Sequence, residues 1–120
     1  LPASAIGLLS AGVLNLNNMR DRIGDAKAGK NTLVVKMGAE KAKNYHYFLI
    51  IGAIFCLVIY SVLTANGFSD FLYLLGFIPL LLHLIRVVRN ENPMLLDPEL
   101  KILALTTFLI SVLFGIGLNI

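Results

Sequence analysis

Two aspartates four residues apart, Asp21 and Asp25, stand near the start of the polar segment 17–38, NNMRDRIGDAKAGKNTLVVKMG. On a helix, positions 17, 21 and 25 share one face, so the amide oxygen of Asn17 and both carboxylates project together. Hard oxygen ligands at this spacing suit Mg²⁺. That ion keeps several of its waters and binds through one or two carboxylates plus substrate phosphate oxygens. Arg20, Arg22, Lys27 and Lys30 surround the acids, with Lys36 beyond them. Such cations would hold a diphosphate and stabilise it as a leaving group. By spacing alone, the same residues serve equally well as a solvated helix flank laced with ion pairs.

The segment needs a scaffold, and the composition says which kind. The 120 residues are 58% hydrophobic and only 14% charged, with a mean hydropathy of +0.82; a soluble domain of this size carries far more charge. The isoelectric point near 9.2 would suit nucleic acid only on a soluble fold with a basic face, so headgroups or anionic substrates are the expected partners. Cys56 is the single cysteine, which excludes an intrachain disulfide framework. The chain opens at Leu1 on an uncharged run without the basic start of a signal peptide, and is read as continuing a longer protein.

Apolar runs of roughly 20 residues cross a bilayer as helices. Four are expected, at about 1–16, 47–65, 71–88 and 102–120, giving an all-α, multi-pass transmembrane bundle occupying residues 1–120. No period-two alternation supports strands, whose edges would lie unpaired in lipid. Every Lys and Arg falls in the first or third connection and none in the second, around Asn66 and Gly67. An up-and-down path therefore puts all positive charge on one side, the cytoplasmic one, with the C-terminus outside. Asp97, ahead of Pro98 and Glu99, is expected to cap the fourth helix, and Pro79 to kink the third. Gly29 suits a left-handed helix end, and Asn31 and Thr32 a cap for a short interfacial helix through Leu33, Val34 and Val35. His46 and His83 are read as interfacial residues, and no carboxylate is expected inside a span.

The ordered string NNxRDxxxDxxxGKxTL resembles the second aspartate-rich motif of the UbiA superfamily of intramembrane prenyltransferases, in the form found in its 1,4-dihydroxy-2-naphthoate branch. The DPELK start and LFGIGL run of the last helix are similar to the same branch, so the resemblance spans essentially the whole chain. It implies a nine-helix fold around a central cavity, of which this chain supplies the sixth to ninth helices, in a bacterial inner membrane. Asp21 and Asp25 match the Mg²⁺-binding acids, while Asn17, Asn18, Arg20, Arg22, Lys27 and Lys30 fall at the diphosphate-binding positions. The implied reaction moves a polyprenyl group from its diphosphate to 1,4-dihydroxy-2-naphthoate with decarboxylation, giving demethylmenaquinone. The motif of NDxxD type that completes such a site is absent from this sequence. Two alternatives stay open: another aromatic acceptor, of 4-hydroxybenzoate or porphyrin type, and a non-catalytic transporter or subunit.

Overall fold

The computed structural model describes residues 1–120. All regular structure is helical: α1 (Pro2–Lys27), α2 (Leu33–Met37), α3 (Ala39–Thr64), α4 (Phe77–Arg89) and α5 (Asp97–Asn119). Two 3-10 segments, Phe68–Gly76 and Pro93–Leu96, lead into α4 and α5. The bundle is a rod with extents of 52 × 21 × 19 Å. A 26-residue helix such as α1 or α3 is about 39 Å long at 1.5 Å per residue, ample for about 30 Å of hydrocarbon.

Three helical stretches are long and apolar enough to cross a membrane: Ala39–Thr64, Phe68–Arg89 and Pro93–Asn119. The first helix is not among them, because its apolar part ends at Leu16 and its last turns carry Arg20, Asp21, Arg22, Asp25 and Lys27. Four spans were expected; three meet the requirement.

The core repeats at seven-residue intervals, the seam spacing of helices packed at shallow angles. Leu9 and Leu16 of α1, Ile50 and Leu57 of α3, Tyr73, Leu80 and Val87 on the stretch Phe68–Arg89, and Leu103 and Ile110 of α5 are all buried. Large apolar side chains on the outer faces, including Phe48, Phe55, Val62 and Phe108, are exposed. In a soluble bundle that would be a liability; here it is the surface offered to lipid. Hydroxyls on the outer helices satisfy themselves against the preceding turn, Thr107 donating to the Leu103 carbonyl and Ser111 to that of Thr107, each at 2.8 Å.

Close helix approach explains one glycine. A Cβ at Gly117 would collide with the carbonyl oxygen of Ser69, so only glycine lets the end of α5 lie on the 3-10 segment. Pro79 acts differently from the expected kink. It falls in the first turn of α4, where no backbone N–H is needed, and the irregularity lies upstream as the 3-10 segment. At the opposite end, the Asp70 carboxylate accepts from the backbone N–H groups of Asn66 (2.7 Å) and Gly67 (3.2 Å), closing the turn between the first and second stretches.

Candidate active site

The site residues sit on the last turns of α1, which runs unbroken through the polar segment to Lys27. Gly29 follows with φ of 77°, the left-handed geometry that glycine adopts without a Cβ penalty, and turns the chain back. Thr32 then caps α2, its hydroxyl accepting from the Val35 N–H at 3.2 Å. These local features let α1 end in one well-defined polar face.

Asp21 and Asp25 line the same concavity, about 370 Å³, together with Arg20, Gly24, Pro93 and Met94. The acids are 39% and 15% exposed, open enough for a ligand to reach both. Pro93 and Met94, in the connection before α5, form the opposite wall.

Arg20 organises the polar face. Its Nε donates to Asp21 Oδ1 at 2.8 Å and one terminal nitrogen to Asp21 Oδ2 at 3.1 Å and Asn17 Oδ1 at 3.0 Å. The other terminal nitrogen reaches Asp97 Oδ1, 77 residues away in sequence, at 2.6 Å. The guanidinium fork thus joins α1 to α5. Its hydrogen bonds to Asp21, and its charge, hold the Asp21 carboxyl below the usual carboxylate range against the opposing cost of partial burial. The same contacts, Asp21 first and then Asp97, reinforce the protonated state of Arg20.

Asp97 was expected to cap α5. It lies instead within the first turn, the N-cap position belongs to Leu96, and Arg20 has taken the Asp97 carboxylate. Among the other expected residues, Lys30 lies 3.8 Å from Asp25 and is 71% exposed. Arg22 faces a separate pocket beside Met19 and Val34. Asn18 makes no side-chain hydrogen bond, and Lys27, the last residue of α1, lines neither cavity. The structure therefore gathers Asn17, Arg20, Asp21 and Asp25, with Lys30 at the edge, and does not bring Asn18, Arg22 or Lys27 into that group.

No cluster of three or more His, Cys, Asp or Glu side chains suited to a metal ion forms within the chain. The donor set lining this concavity is the two carboxylates, with the Asn17 amide oxygen tied to Asp21 through Arg20. Each carboxylate oxygen has two lone-pair positions, so the bonds from Arg20 leave Asp21 with acceptor capacity, and Asp25 has only a weak partner in Lys30. This set suits a hard cation that takes its remaining ligands from water and phosphate.

A buried polar chain crosses the bundle nearby. His46 and His83, expected at the interface, are both fully buried, with Nε2 atoms 3.0 Å apart. His83 Nδ1 lies 2.6 Å from Glu99 Oε2, and Arg86 bonds the other oxygen of Glu99. A carboxylate does lie inside a candidate span: Glu99, in the first turn of α5, is 6% exposed. Its place between Asp97 and Lys101, in a stretch that reads as a polar helix start, hid this role. The signal was its seven-residue offset from Thr106, which shares the buried face of α5. His46 Nδ1 ends the chain without a partner.

The family model of the UbiA prenyltransferases matches residues 1–95 of this all-helical bundle. The chain belongs to the UbiA prenyltransferase family and is an integral membrane protein. It is 42% identical over 120 residues to the 1,4-dihydroxy-2-naphthoate octaprenyltransferase of Haemophilus influenzae, covering 100% of this chain and 39% of that protein. It is 39% identical over 119 residues to the protein of the same name from Escherichia coli, covering 98% of this chain and 38% of that one. The chain thus spans under two fifths of the length of these relatives. No solved structure matches it.

Proposed function

We propose that this chain carries half of the active site of a Mg²⁺-dependent aromatic prenyltransferase that joins a polyprenyl group to 1,4-dihydroxy-2-naphthoate. The observation that carries the reading is the shared concavity of Asp21 and Asp25, one helical turn apart, with a guanidinium between Asp21 and the last helix. The activity named for the two relatives supports the donor and acceptor classes.

In this reading α1 crosses the membrane as a fourth span, and the four helices are the sixth to ninth of nine. The motif faces the cytoplasm and the C-terminus the outside, in a bacterial inner membrane. Asp21 and Asp25 would hold Mg²⁺, which would supply positive charge to the diphosphate as the leaving group of the allylic C–O bond. Asp21 and Asp25 supply the carboxylate oxygens, Asn17 an amide oxygen, and Lys30 a mobile positive charge at the rim. Arg20, held in place by Asp97, keeps its positive charge beside the phosphate oxygens. The apolar helices exclude water from the allylic cation. The electron-rich naphthoate ring attacks that cation at the carbon bearing the carboxylate, and the carboxylate leaves as carbon dioxide while its bonding pair returns to the ring. Further acidic ligands come from an aspartate-rich segment elsewhere in the protein.

The intact protein, given polyprenyl diphosphate, Mg²⁺ and 1,4-dihydroxy-2-naphthoate, is expected to release carbon dioxide and diphosphate in equal amounts with a prenylated naphthoquinol. Prenylation of 4-hydroxybenzoate but not of the naphthoate would sink the acceptor assignment.

A second reading, a transporter, draws on the buried His46–His83–Glu99 chain, since intramembrane ionisable groups mark ion paths in carriers. It predicts substrate-driven flux in liposomes without a prenylated product.

A further inference from the structure

We infer that a second pocket, on the other flank of α1, binds the carboxylate of the aromatic acceptor; this rests on the prenyltransferase reading above. A cavity of about 250 Å³ lies between the end of α1, α2, the start of α3 and the connection before α5. It is smaller than most ligand pockets, which run from about 300 to 1,000 Å³, and so suits a compact ring system rather than a long chain.

Its walls are of two kinds. Met19, Val34 and Leu96 are buried and apolar, a surface for the flat face of an aromatic ring. Arg22 and Lys43 supply positive charge, and neither lies within 4.0 Å of a carboxylate. Lys43 is directed at the carbonyl oxygens of Val88 (3.5 Å) and Asn90 at the end of α4. Arg22 is half-buried and makes no side-chain hydrogen bond to the protein, in contrast to Arg20 two residues before it. A half-buried guanidinium with its donors free is a planar fork matched to a carboxylate, which it holds through two parallel hydrogen bonds. Glu91, the one acid in the wall, is exposed and outnumbered by the two cations, so the pocket favours an anion.

Position supports the assignment. Pro93 belongs to both the wall of this pocket and the wall of the concavity lined by Asp21 and Asp25. An aromatic acid seated on Arg22 would thus be a neighbour of the concavity that takes the donor's diphosphate. Anionic lipid shares the charge chemistry, but its two acyl chains have no counterpart in so short an apolar wall.

The test is binding without turnover, using the intact protein in phosphatidylcholine nanodiscs with neither donor nor Mg²⁺. The probe is the fluorescent acid 1-hydroxy-2-naphthoate, with 1-naphthol as its carboxylate-free counterpart. Loss of a hydrogen-bonded charge pair corresponds to about a tenfold or greater change in affinity. Arg22→Gln is therefore expected to weaken the acid about tenfold or more, Arg22→Lys to recover part of it, and neither to change 1-naphthol binding. The KM for polyprenyl diphosphate is expected to stay at the wild-type value in both variants, which also shows that they fold. Unchanged affinity of Arg22→Gln for the acid overturns the inference, as does weakening confined to the donor. Displacement of the acid from wild-type protein by phosphatidylglycerol, to the extent that Arg22→Gln loses it, would make the pocket a lipid site and also overturn it. Wild-type protein that turns over no naphthoate refutes the reaction itself. Wild-type turnover with an Arg22→Gln variant of undiminished acceptor affinity refutes only the pocket.

Discussion

Replacing Glu99 with glutamine separates a buried polar contact from an exposed one two residues away. Glu99 is 8% exposed at its side chain and bonds His83 Nδ1 at 2.6 Å, with Arg86 on its second oxygen. A buried hydrogen bond to a charged group contributes about 1.5–3 kcal/mol, and the pair with Arg86, which is 45% exposed, adds no more than about 1 kcal/mol. Glutamine keeps the shape but loses the charge, and its NH₂ must face one of two donors. The expected loss is about 1.5–4 kcal/mol from these two contributions. Asp97→Asn removes an ion pair whose partners are 25% and 69% exposed, so its cost should stay below about 1 kcal/mol. Both are measured by reversible unfolding of the intact protein in mixed micelles, followed by circular dichroism. A Glu99→Gln protein within about 0.5 kcal/mol of wild type, the range of ordinary surface substitutions, would refute the view that the histidine pair and Glu99 fix α5.

The end of α5 offers a test of packing. Gly117→Ala places a Cβ against the Ser69 carbonyl and should cost about 1–3 kcal/mol, whereas Gly115→Ala meets nothing within 4 Å and should be neutral or slightly stabilising, as Ala favours helix over Gly by up to about 1 kcal/mol. The Asp21 carboxyl, titrated by NMR in metal-free protein, should ionise below its usual 3.8 and return toward that value in Arg20→Gln. The sign follows from linkage: a lowered folded-state value contributes stability above pH 3.8 and loses it as the pH falls through the folded value. A titration at or above 3.8 in wild type would remove the Arg20–Asp21 pairing from the account.

Much of this was readable in the residues because local chemistry decided it. Asp21 and Asp25 share a face since α1 continues past the apolar run, and Gly29 and Thr32 act as their types demand. What stayed hidden was long-range pairing. Asp97 carried every local mark of a helix cap, yet a guanidinium 77 residues away outcompeted the backbone N–H groups for its oxygen. His46, His83 and Glu99 look interfacial one at a time, and only packing α3, α4 and α5 together makes them one buried chain. Arg20 and Arg22 are equivalent by composition, but two residues' rotation about the helix sends them to different cavities. The membrane crossings were clear by apolar length except at α1, where the motif shortens the run.

The most direct measurement is of the metal itself, with Mn²⁺ standing in for Mg²⁺ in electron paramagnetic resonance of the intact protein holding an unreactive polyprenyl thiodiphosphate. A bound-Mn²⁺ spectrum that requires the thiodiphosphate, and whose affinity falls about tenfold or more in Asp21→Asn and in Asp25→Asn, the loss of one charged ligand contact, is the predicted result. Wild-type affinity in both variants would contradict it.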